Sequence, residues 1–319
     1  MSDASRSGLQ PRHLAVTGFL RDHITYLIFG LVTLYFVFTA PSFATLGTAE
    51  AILRITAIVS IMAVGMTFVI ITAEIDLSVG SMASLSGMIG ALLLQADYGW
   101  ISAILLTLLF GAAVGAFSGL LVTWLRIPSF LVTLGMLSIL SGVALTITGT
   151  RSVPIVSDHF TGSLWDGSVA GVPVPIVWTI AIAIVGFYVL HLTPLGKRVF
   201  ATGGNVTAAR FSGVRTDRIK LLAFTVSGFT ASLSGLMLAA RSTAGNPSLG
   251  SGLELDVIAA VIIGGTSLFG GRGSIVGSVV GAIFIGIVGF GLLVMGFSTS
   301  IQEIIKGAII IGAVALARR

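Results

Sequence analysis

Apolar runs of about 20 residues recur from one end of the chain to the other, and short polar stretches separate them. A run of this length, coiled as a helix, crosses the hydrocarbon core of a bilayer. The pattern therefore predicts an all-α integral membrane protein with about ten transmembrane helices. The predicted spans cover residues 24–40, 51–72, 79–94, 101–125, 129–147, 173–191, 221–240, 253–265, 275–295 and 301–317.

The cations predict how these spans are oriented. An even number of spans places both termini on one side, and Lys and Arg are enriched in cytoplasmic loops. We therefore expect cytoplasmic N- and C-termini, with residues 1–23 as a cytoplasmic tail rather than a cleaved signal peptide. Residues 24–319 are expected to form a single transmembrane domain. Of the 17 Lys and Arg residues, those that fall outside this scheme are Arg54, Arg151, Arg241 and Lys306.

Two glycine-containing segments interrupt the apolar pattern, ITAEIDLSVG at 71–80 and IGGTSLFGGRG at 263–273. Non-helical backbone at membrane depth is tolerated only where protein or a water-lined cavity satisfies its polar groups. We therefore expect short or broken spans at these two points. Within the first segment, Asp76 is predicted to cap the following helix.

The other acids near spans are expected to have structural roles. Glu254 and Asp256 begin the eighth span, where they would favour the helix dipole. Glu303 and Lys306 lie three residues apart in the last span and are predicted to pair with each other. A proton relay requires several acids along one route, whereas these acids are isolated in the sequence, so ion-coupled transport is disfavoured.

Glycines recur four residues apart at Gly111, Gly115 and Gly119, and again at Gly277 and Gly281. Small residues at this spacing let helix backbones approach closely in a membrane. Two interpretations stay open, close packing inside the bundle and a dedicated dimer face. The sequence favours the first.

One long hydrophilic segment, residues 196–220, lies deep inside the apolar chain and carries six cations against the single acid Asp217. Its charge places it in the cytoplasm. Its middle predicts a short helix over residues 206–212, because Asn205 is a good N-cap and Gly213 suits a left-handed C-cap.

This short helix has two possible uses. It could lie in the membrane interface, but its apolar face is weak. The better interpretation is a helix that docks in a partner's cleft, with Phe211 as the anchor and Arg210 as a polar contact.

Composition narrows the function further. The chain is 55% hydrophobic and 9% charged, against about 25% charged in an ordinary soluble domain. It has no cysteine, which excludes disulfides and thiolate chemistry. The formal charge of +5 is interpreted as orientation bias and not as nucleic-acid binding. The sequence contains no GxxxxGK[ST] motif, so a separate chain would have to hydrolyse any ATP that drives this protein.

Four segments resemble the membrane permease subunits of bacterial ribose and simple-sugar ABC importers. They are IMAVGMTFVIITAEIDLSVGS (61–81), IPSFLVTLGM (127–136), ATGGNVTAARFSGV (201–214) and ELDVIAAVIIGGTSLFGGRGSIVG (254–277). The resemblance runs from about residue 48 to residue 315 with the motifs in the same order.

The resemblance implies a non-enzymatic pore subunit without a cofactor of its own in a bacterial inner membrane. Such permeases pair with a second copy or a paralogue, receive a monosaccharide such as ribose or a similar pentose from a periplasmic binding protein, and dock a cytoplasmic ATPase that hydrolyses ATP with Mg²⁺. The docking loop would lie at 196–220. The docking residues implied are Asn205, Ala208, Ala209, Arg210, Phe211, Ser212 and Gly213.

The cargo and the energy source leave alternatives open. A branched-chain amino acid or a signalling furanose would suit the same class of permease. A self-sufficient secondary transporter or facilitator would need no ATPase. An intramembrane enzyme would need converging catalytic groups, which the sequence does not offer.

Five polar residues in apolar stretches are candidates for the translocation path or gate. Many relatives have glycine where this chain has Glu74, whose carboxylate could line the path or pair with a cation. The alternative for each hydroxyl is a bond to a neighbouring helix backbone. The candidates are Glu74, Asp76, Thr133, Thr266 and Ser267.

Overall fold

The computed structural model describes residues 29–317. The predicted tail at 1–23, the start of the first span at 24–28 and the final Arg318 and Arg319 lie outside this part. Helices dominate the described chain, and its four strands have two residues each. The helices are α1 (Phe29–Thr39), α2 (Leu46–Ile71), α3 (Val79–Gln95), α4 (Trp100–Trp124), α5 (Ser129–Thr146), α6 (Asp158–Thr161), α7 (Val174–Phe187), α8 (Pro194–Gly204), α9 (Val206–Phe211), α10 (Thr216–Arg241), α11 (Leu253–Ile263), α12 (Ile275–Val294) and α13 (Thr299–Ala317).

The prediction of a helical integral membrane protein is confirmed. Within residues 29–317, six helices are long and apolar enough to cross a membrane: α2, α4, α5, α7 with the turn that extends it to Leu192, α10 and α12. Two others are shorter than a full span, α3 with 17 residues and α11 with 11. Each follows one of the two glycine-containing segments or ends in one, as the sequence predicted.

Helices α2 and α10 form the centre of the bundle. Within the most apolar 18-residue stretch of each helix, 89% of the residues are buried in α2 and 72% in α10. The corresponding share is only 28% in α4, 33% in α5 and 22% in α7. A membrane helix that other helices surround has little surface left for lipid, and small residues are enriched at its contacts. The outer helices instead leave large apolar side chains on their free faces.

The glycines at four-residue spacing pack α4 against α10. A Cβ added to Gly111 would lie 2.6 Å from the carbonyl oxygen of Gly228, and one on Gly115 would lie 3.1 Å from the Cα of Gly228. A Cβ on Gly119 would lie 2.9 Å from the Cα of Leu221. The close-packing interpretation is therefore confirmed, and the interpretation as a dimer face is wrong for this face of α4.

The connection between α5 and α7, which separates two of the predicted spans, contains short paired strands. Strand β1 (Val153–Pro154) pairs antiparallel with β4 (Ala244–Gly245), which follows α10. A small hairpin joins β2 (Ser168–Val169) to β3 (Val172–Pro173). Pairing satisfies the backbone groups of this extended segment, so its strands form without a hydrophobic pattern of their own.

Two of the cations that fall outside the predicted orientation scheme, Arg54 and Arg241, contact Trp165 in this connection. Arg54 donates to the carbonyl oxygen of Trp165 at 3.0 Å, and its guanidinium carbon lies 5.6 Å from the Trp165 ring centroid. Arg241 lies 5.4 Å from the same ring. Both distances fit cation–π contacts.

The predicted pairing of Lys306 with Glu303 is wrong. Lys306 donates to Asp256 at 2.7 Å, and this bond joins α13 to the first turn of α11. Spacing along one helix predicted the contact with Glu303, but a carboxylate on the neighbouring helix is better placed.

The hydrophilic segment 196–220 is mostly helical and not the loop with one short helix that the sequence predicted. Helix α8 starts after Thr193, whose hydroxyl accepts from the N–H of Gly196 at 3.4 Å, and Pro194 fits the first helical position. Helix α10 begins at Thr216 rather than at residue 221. The polar composition predicted that this segment is exposed to water, but it did not predict where the helices begin and end.

Candidate functional site

The predicted short helix is present as α9, with both of its predicted ends. The side chain of Asn205 accepts from the N–H of Ala208 at 2.9 Å and caps the N-terminus. Gly213 has φ +81°, donates to Arg210 O at 2.9 Å and is followed by a 3.0 Å bond from the Val214 N–H to Ala209 O. These two bonds form a Schellman C-cap. Ser212 occupies the C-cap position.

The side chains of α9 divide into buried, bonded and exposed groups. Ala209 is buried against the body, whereas Phe211 is 90% exposed. Arg210 is not free, since its Nε donates to Thr216 Oγ1 at 2.8 Å and its guanidinium pairs with Asp217 at 2.6 Å. Arg210 thus fixes α9 to the first turn of α10, and Phe211 is the large apolar group that α9 presents outward.

Beneath α9, three chain segments meet through backbone. The end of α8 lies against the end of α2, where a Cβ on Gly203 would overlap the carbonyl oxygen of Ile71. That same oxygen accepts from the N–H of Gly271 at 2.9 Å. Gly270, with φ +83°, is so close to Ala73 that a Cβ would lie 2.8 Å from the Ala73 Cβ. Both glycine-containing segments of the sequence therefore contact the base of the α8–α9 unit.

The segment between α2 and α3, residues 72–78, is not helical, and its polar groups are bonded to other elements. The N–H of Ile75 donates to Ser129 Oγ at 3.2 Å, and its carbonyl oxygen accepts from Thr133 Oγ1 at 3.3 Å. Thr133 is fully buried and also donates to Ser129 O at 2.9 Å. Thr133 thus makes the backbone bond that was the alternative to lining the path.

Asp76 does not cap α3 as predicted, because Ser78 occupies the N-cap position. The Asp76 side chain accepts from the Ser78 N–H at 3.0 Å and from the Ser78 hydroxyl at 2.6 Å. Its other oxygen accepts from the hydroxyl of Ser227 on α10 at 2.8 Å. Only 3% of Asp76 is exposed. A short-range turn and a tertiary bond to α10 together hold this carboxylate.

Glu74 pairs with Lys220 in the first turns of α10, which is the second of the two roles proposed for it. The two side chains are only 11% and 18% exposed. Both border a cavity of about 330 Å³ between the α4–α5 turn and the start of α10. Its other charged lining residues are Arg126, Arg210 and Asp217.

The remaining two candidates lie on the loop between α11 and α12. Thr266 is 2% exposed, and within the described part of the chain its hydroxyl has no hydrogen-bond partner. The Ser267 side chain accepts from the N–H of Phe269 at 3.3 Å, which shapes the turn. The structure thus places Glu74, Thr266 and Ser267 near the base of the α8–α9 unit.

Sequence reasoning missed three partners of the 72–78 segment: Ser129, Lys220 and Ser227. Ser129 is the third residue of the IPSFLVT stretch and the first residue of α5, and nothing in the sequence spacing ties it to Ile75. Lys220 was counted as an orientation charge. Ser227 is one hydroxyl among many in α10, and no sequence signal distinguishes it.

Comparison with known proteins adds the following. Residues 48–314 match the profile of a family described as branched-chain amino acid transport system / permease component. The chain is 41% identical over 282 residues to the ribose import permease protein RbsC of Escherichia coli (strain K12), covering 86% of this chain and 87% of the relative. It is 36% identical to the D-allose transport system permease protein AlsC of the same strain, covering 92% and 90%. It is 34% identical to the xylose transport system permease protein XylH of that strain, covering 97% and 93%. No solved structure matches the chain.

Proposed function

The chain belongs to this family of transport-system permease components, and from that membership we propose that it is the membrane-spanning subunit of an ATP-driven sugar importer. Its relatives are transport components and not enzymes. Three of them are named for the monosaccharides ribose, allose and xylose. The proposed cargo is accordingly a monosaccharide, with ribose or a similar pentose as the first candidate.

The observation that carries this proposal is the exposed Phe211 on a rigidly capped helix. An aromatic side chain that is 90% exposed on a helix held at both ends is a suitable anchor for a partner's groove. A cytoplasmic ATPase is the proposed partner, because ATP-driven import needs a nucleotide site and the sequence has no P-loop. The proposed docking set is Asn205, Ala208, Ala209, Arg210, Phe211, Ser212 and Gly213.

The proposed topology follows from this docking. If α9 faces the cytoplasm, then the Trp165 cluster and the β1–β4 pair lie on the periplasmic side. Ten spans with cytoplasmic termini satisfy that arrangement and the distribution of Lys and Arg. The proposed location is a bacterial inner membrane, with a second permease, identical or paralogous, completing the pore.

In the proposed cycle, a periplasmic binding protein delivers the sugar and selects it. ATP binding at the partner closes the ATPase dimer and moves α8 and α9. Because both glycine-containing segments contact the base of this unit, its movement reaches the parts of the membrane domain that are not continuous helix. Glu74, Asp76, Thr133, Thr266 and Ser267 remain the proposed gate residues. The side-chain bonds of Glu74, Asp76, Thr133 and Ser267 to the protein itself support a role in shaping the gate and not in holding the sugar.

One specific observation favours a different cargo within the same class. The matched family is described by branched-chain amino acid transport, whereas the similar relatives are named for sugars. The relatives cover the chain over most of its length, so the sugar is preferred. A leucine-type amino acid is the first competitor to include in a test.

The test is reconstitution in lipid vesicles with the partner ATPase and binding protein, assayed with ribose, xylose, allose and leucine. We expect one loaded binding protein to stimulate ATP hydrolysis and uptake together. Stimulation by leucine alone would retain the importer and overturn the sugar. Uptake by the permease alone, independent of ATP, would overturn the importer and support a facilitator.

A further inference from the structure

The two carboxylates of the 72–78 segment both bond to α10, at positions that lie on one face of that helix. Glu74 pairs with Lys220 and Asp76 accepts from Ser227. Lys220 and Ser227 are seven residues apart, which is about two helical turns. The 72–78 segment is therefore bonded to α10 at two positions along the helix axis. It cannot shift along α10 without breaking one of these two bonds.

The Glu74–Lys220 attachment lies one helical turn from the residues of α10 that hold α9. Arg210 of α9 bonds to Thr216 and Asp217, which begin α10, and Lys220 follows within the next turn. Displacement of α9 therefore moves the backbone that carries Lys220. The ion pair then applies that displacement to Glu74 and to the 72–78 segment.

The environment of the pair suits a transmitting contact better than a stabilising one. An ion pair withdrawn from water loses most of its attraction to desolvation, so it adds little stability over an apolar pair of similar size. The pair nevertheless keeps the two side chains together. Glu74 is 11% and Lys220 18% exposed, so separating them would leave an unpaired charge largely withdrawn from water, which is unfavourable. The adjoining cavity of about 330 Å³ leaves room for the side chains to move together.

We propose that the Glu74–Lys220 ion pair is a positioning contact that transmits movement of the docking helix α9 to the non-helical segment between α2 and α3. This inference rests on the proposed function of α9 as the ATPase-docking helix. Glu74 and Lys220 touch neither the ATPase nor the sugar in this scheme. Asp76 and Ser227 act as the second attachment.

The ion pair predicts a separation of assembly from coupling. Glu74→Gln keeps the shape of the side chain and removes its charge, so the complex still forms and retains basal ATP hydrolysis. The amount of sugar imported per ATP hydrolysed falls about tenfold, a typical size for coupling between two sites. Lys220→Met is the less discriminating variant, since Arg126 and Arg210 line the same cavity and can approach Glu74.

The decisive experiment compares wild type, Glu74→Gln, Glu74→Lys and the reciprocal Glu74→Lys/Lys220→Glu in proteoliposomes with the ATPase and the binding protein. Three quantities are measured: recovered ATPase per permease, basal hydrolysis, and sugar imported per ATP. We expect Glu74→Gln and Glu74→Lys to lower only the third quantity and the reciprocal variant to restore most of it. The matched control, Glu303→Gln, neutralises an exposed acid on α13 and should change none of the three.

Three outcomes overturn the inference. Wild-type coupling in Glu74→Gln shows that the pair transmits nothing. A reciprocal variant no better than Glu74→Lys shows that the pairing itself is irrelevant. Loss of the ATPase from Glu74→Gln complexes assigns the pair to docking. If the wild-type protein imports no substrate in response to ATP, the proposed function fails and not this inference. The wild-type assay comes first, so this outcome is known before any variant is measured.

Discussion

Gly203, near the end of α8, lies against the carbonyl oxygen of Ile71, the last residue of α2, with no space for a side chain between them. Gly203→Ala should therefore force α8 away from α2, at a cost of about 1–3 kcal/mol, as in other overpacked sites. Thermal unfolding of the purified protein in lipid nanodiscs measures the effect. The control is Gly204→Ala, one residue on, where an added Cβ has nothing within 4 Å. Equal stability of the two variants would contradict the close approach.

Much of this fold could be predicted from the pattern alone. Apolar run lengths located the long helices, because bilayer thickness fixes how many residues a span needs. Glycine spacing at Gly111, Gly115 and Gly119 located a packed face, and Asn205 with Gly213 located both ends of α9. These signals are local, and each follows from a single physical requirement.

The rest depends on contacts distant in sequence. Spacing within one helix suggested that Glu303 pairs with Lys306, but Asp256 lies 50 residues away and is closer in space. Asp76 was expected to cap α3, yet it bonds to Ser227 of α10, 151 residues away. A single sequence carries no signal for such pairs, because many hydroxyls and cations would serve equally well.

Truncation of the exposed anchor on α9 should weaken the binding of the ATPase. Phe211→Ala removes a 90% exposed aromatic side chain, and interface aromatics often contribute about 2 kcal/mol, equivalent to roughly 30-fold in affinity. Titration of labelled ATPase against permease in nanodiscs measures the dissociation constant. Phe38→Ala, at an 82% exposed Phe of α1, is the control that should leave the affinity unchanged. An unchanged affinity in Phe211→Ala would remove α9 from the interface.

Loosening the attachment of α9 should have a smaller effect than removing its anchor. The Arg210–Asp217 pair is about half exposed on both sides, and such pairs contribute at most about 1 kcal/mol. Asp217→Asn should therefore weaken ATPase binding by about two- to fivefold and speed amide exchange across α9. Hydrogen exchange by mass spectrometry compares α9 with α3, which should exchange at the wild-type rate. A larger loss of affinity than in Phe211→Ala would mean that Asp217 touches the partner directly.

The connection between α9 and α10 should be protected when the ATPase binds. Arg215 is exposed and precedes the first turn of α10, so trypsin added on the side of α9 can reach it in the permease alone. Because docked ATPase would cover α9, we expect cleavage there to slow by about tenfold or more, as complex formation depletes the open form. Cleavage at Arg151, in the connection after α5, serves as the internal control in detergent. Equal cleavage of Arg215 with and without the ATPase would show that this surface stays uncovered.

The bond between Lys306 and Asp256 should be measurable as a pairwise energy that Glu303 does not share. The two side chains are 25% and 16% exposed, so removal of one charge leaves the other largely withdrawn from water. Lys306→Met should destabilise the protein by about 1–3 kcal/mol, below the range for fully buried pairs. Asp256→Asn/Lys306→Met should recover part of that loss, since no unpaired charge then remains.

Glu303→Gln should stay within about 0.5 kcal/mol of wild type, as substitutions of exposed residues usually do. Denaturant unfolding of wild type, Lys306→Met, Asp256→Asn and the double variant gives the coupling energy of the pair, with Glu303→Gln as the control. If instead Glu303→Gln matches the loss in Lys306→Met and Asp256→Asn has no effect, then Lys306 pairs along α13 and not across to α11.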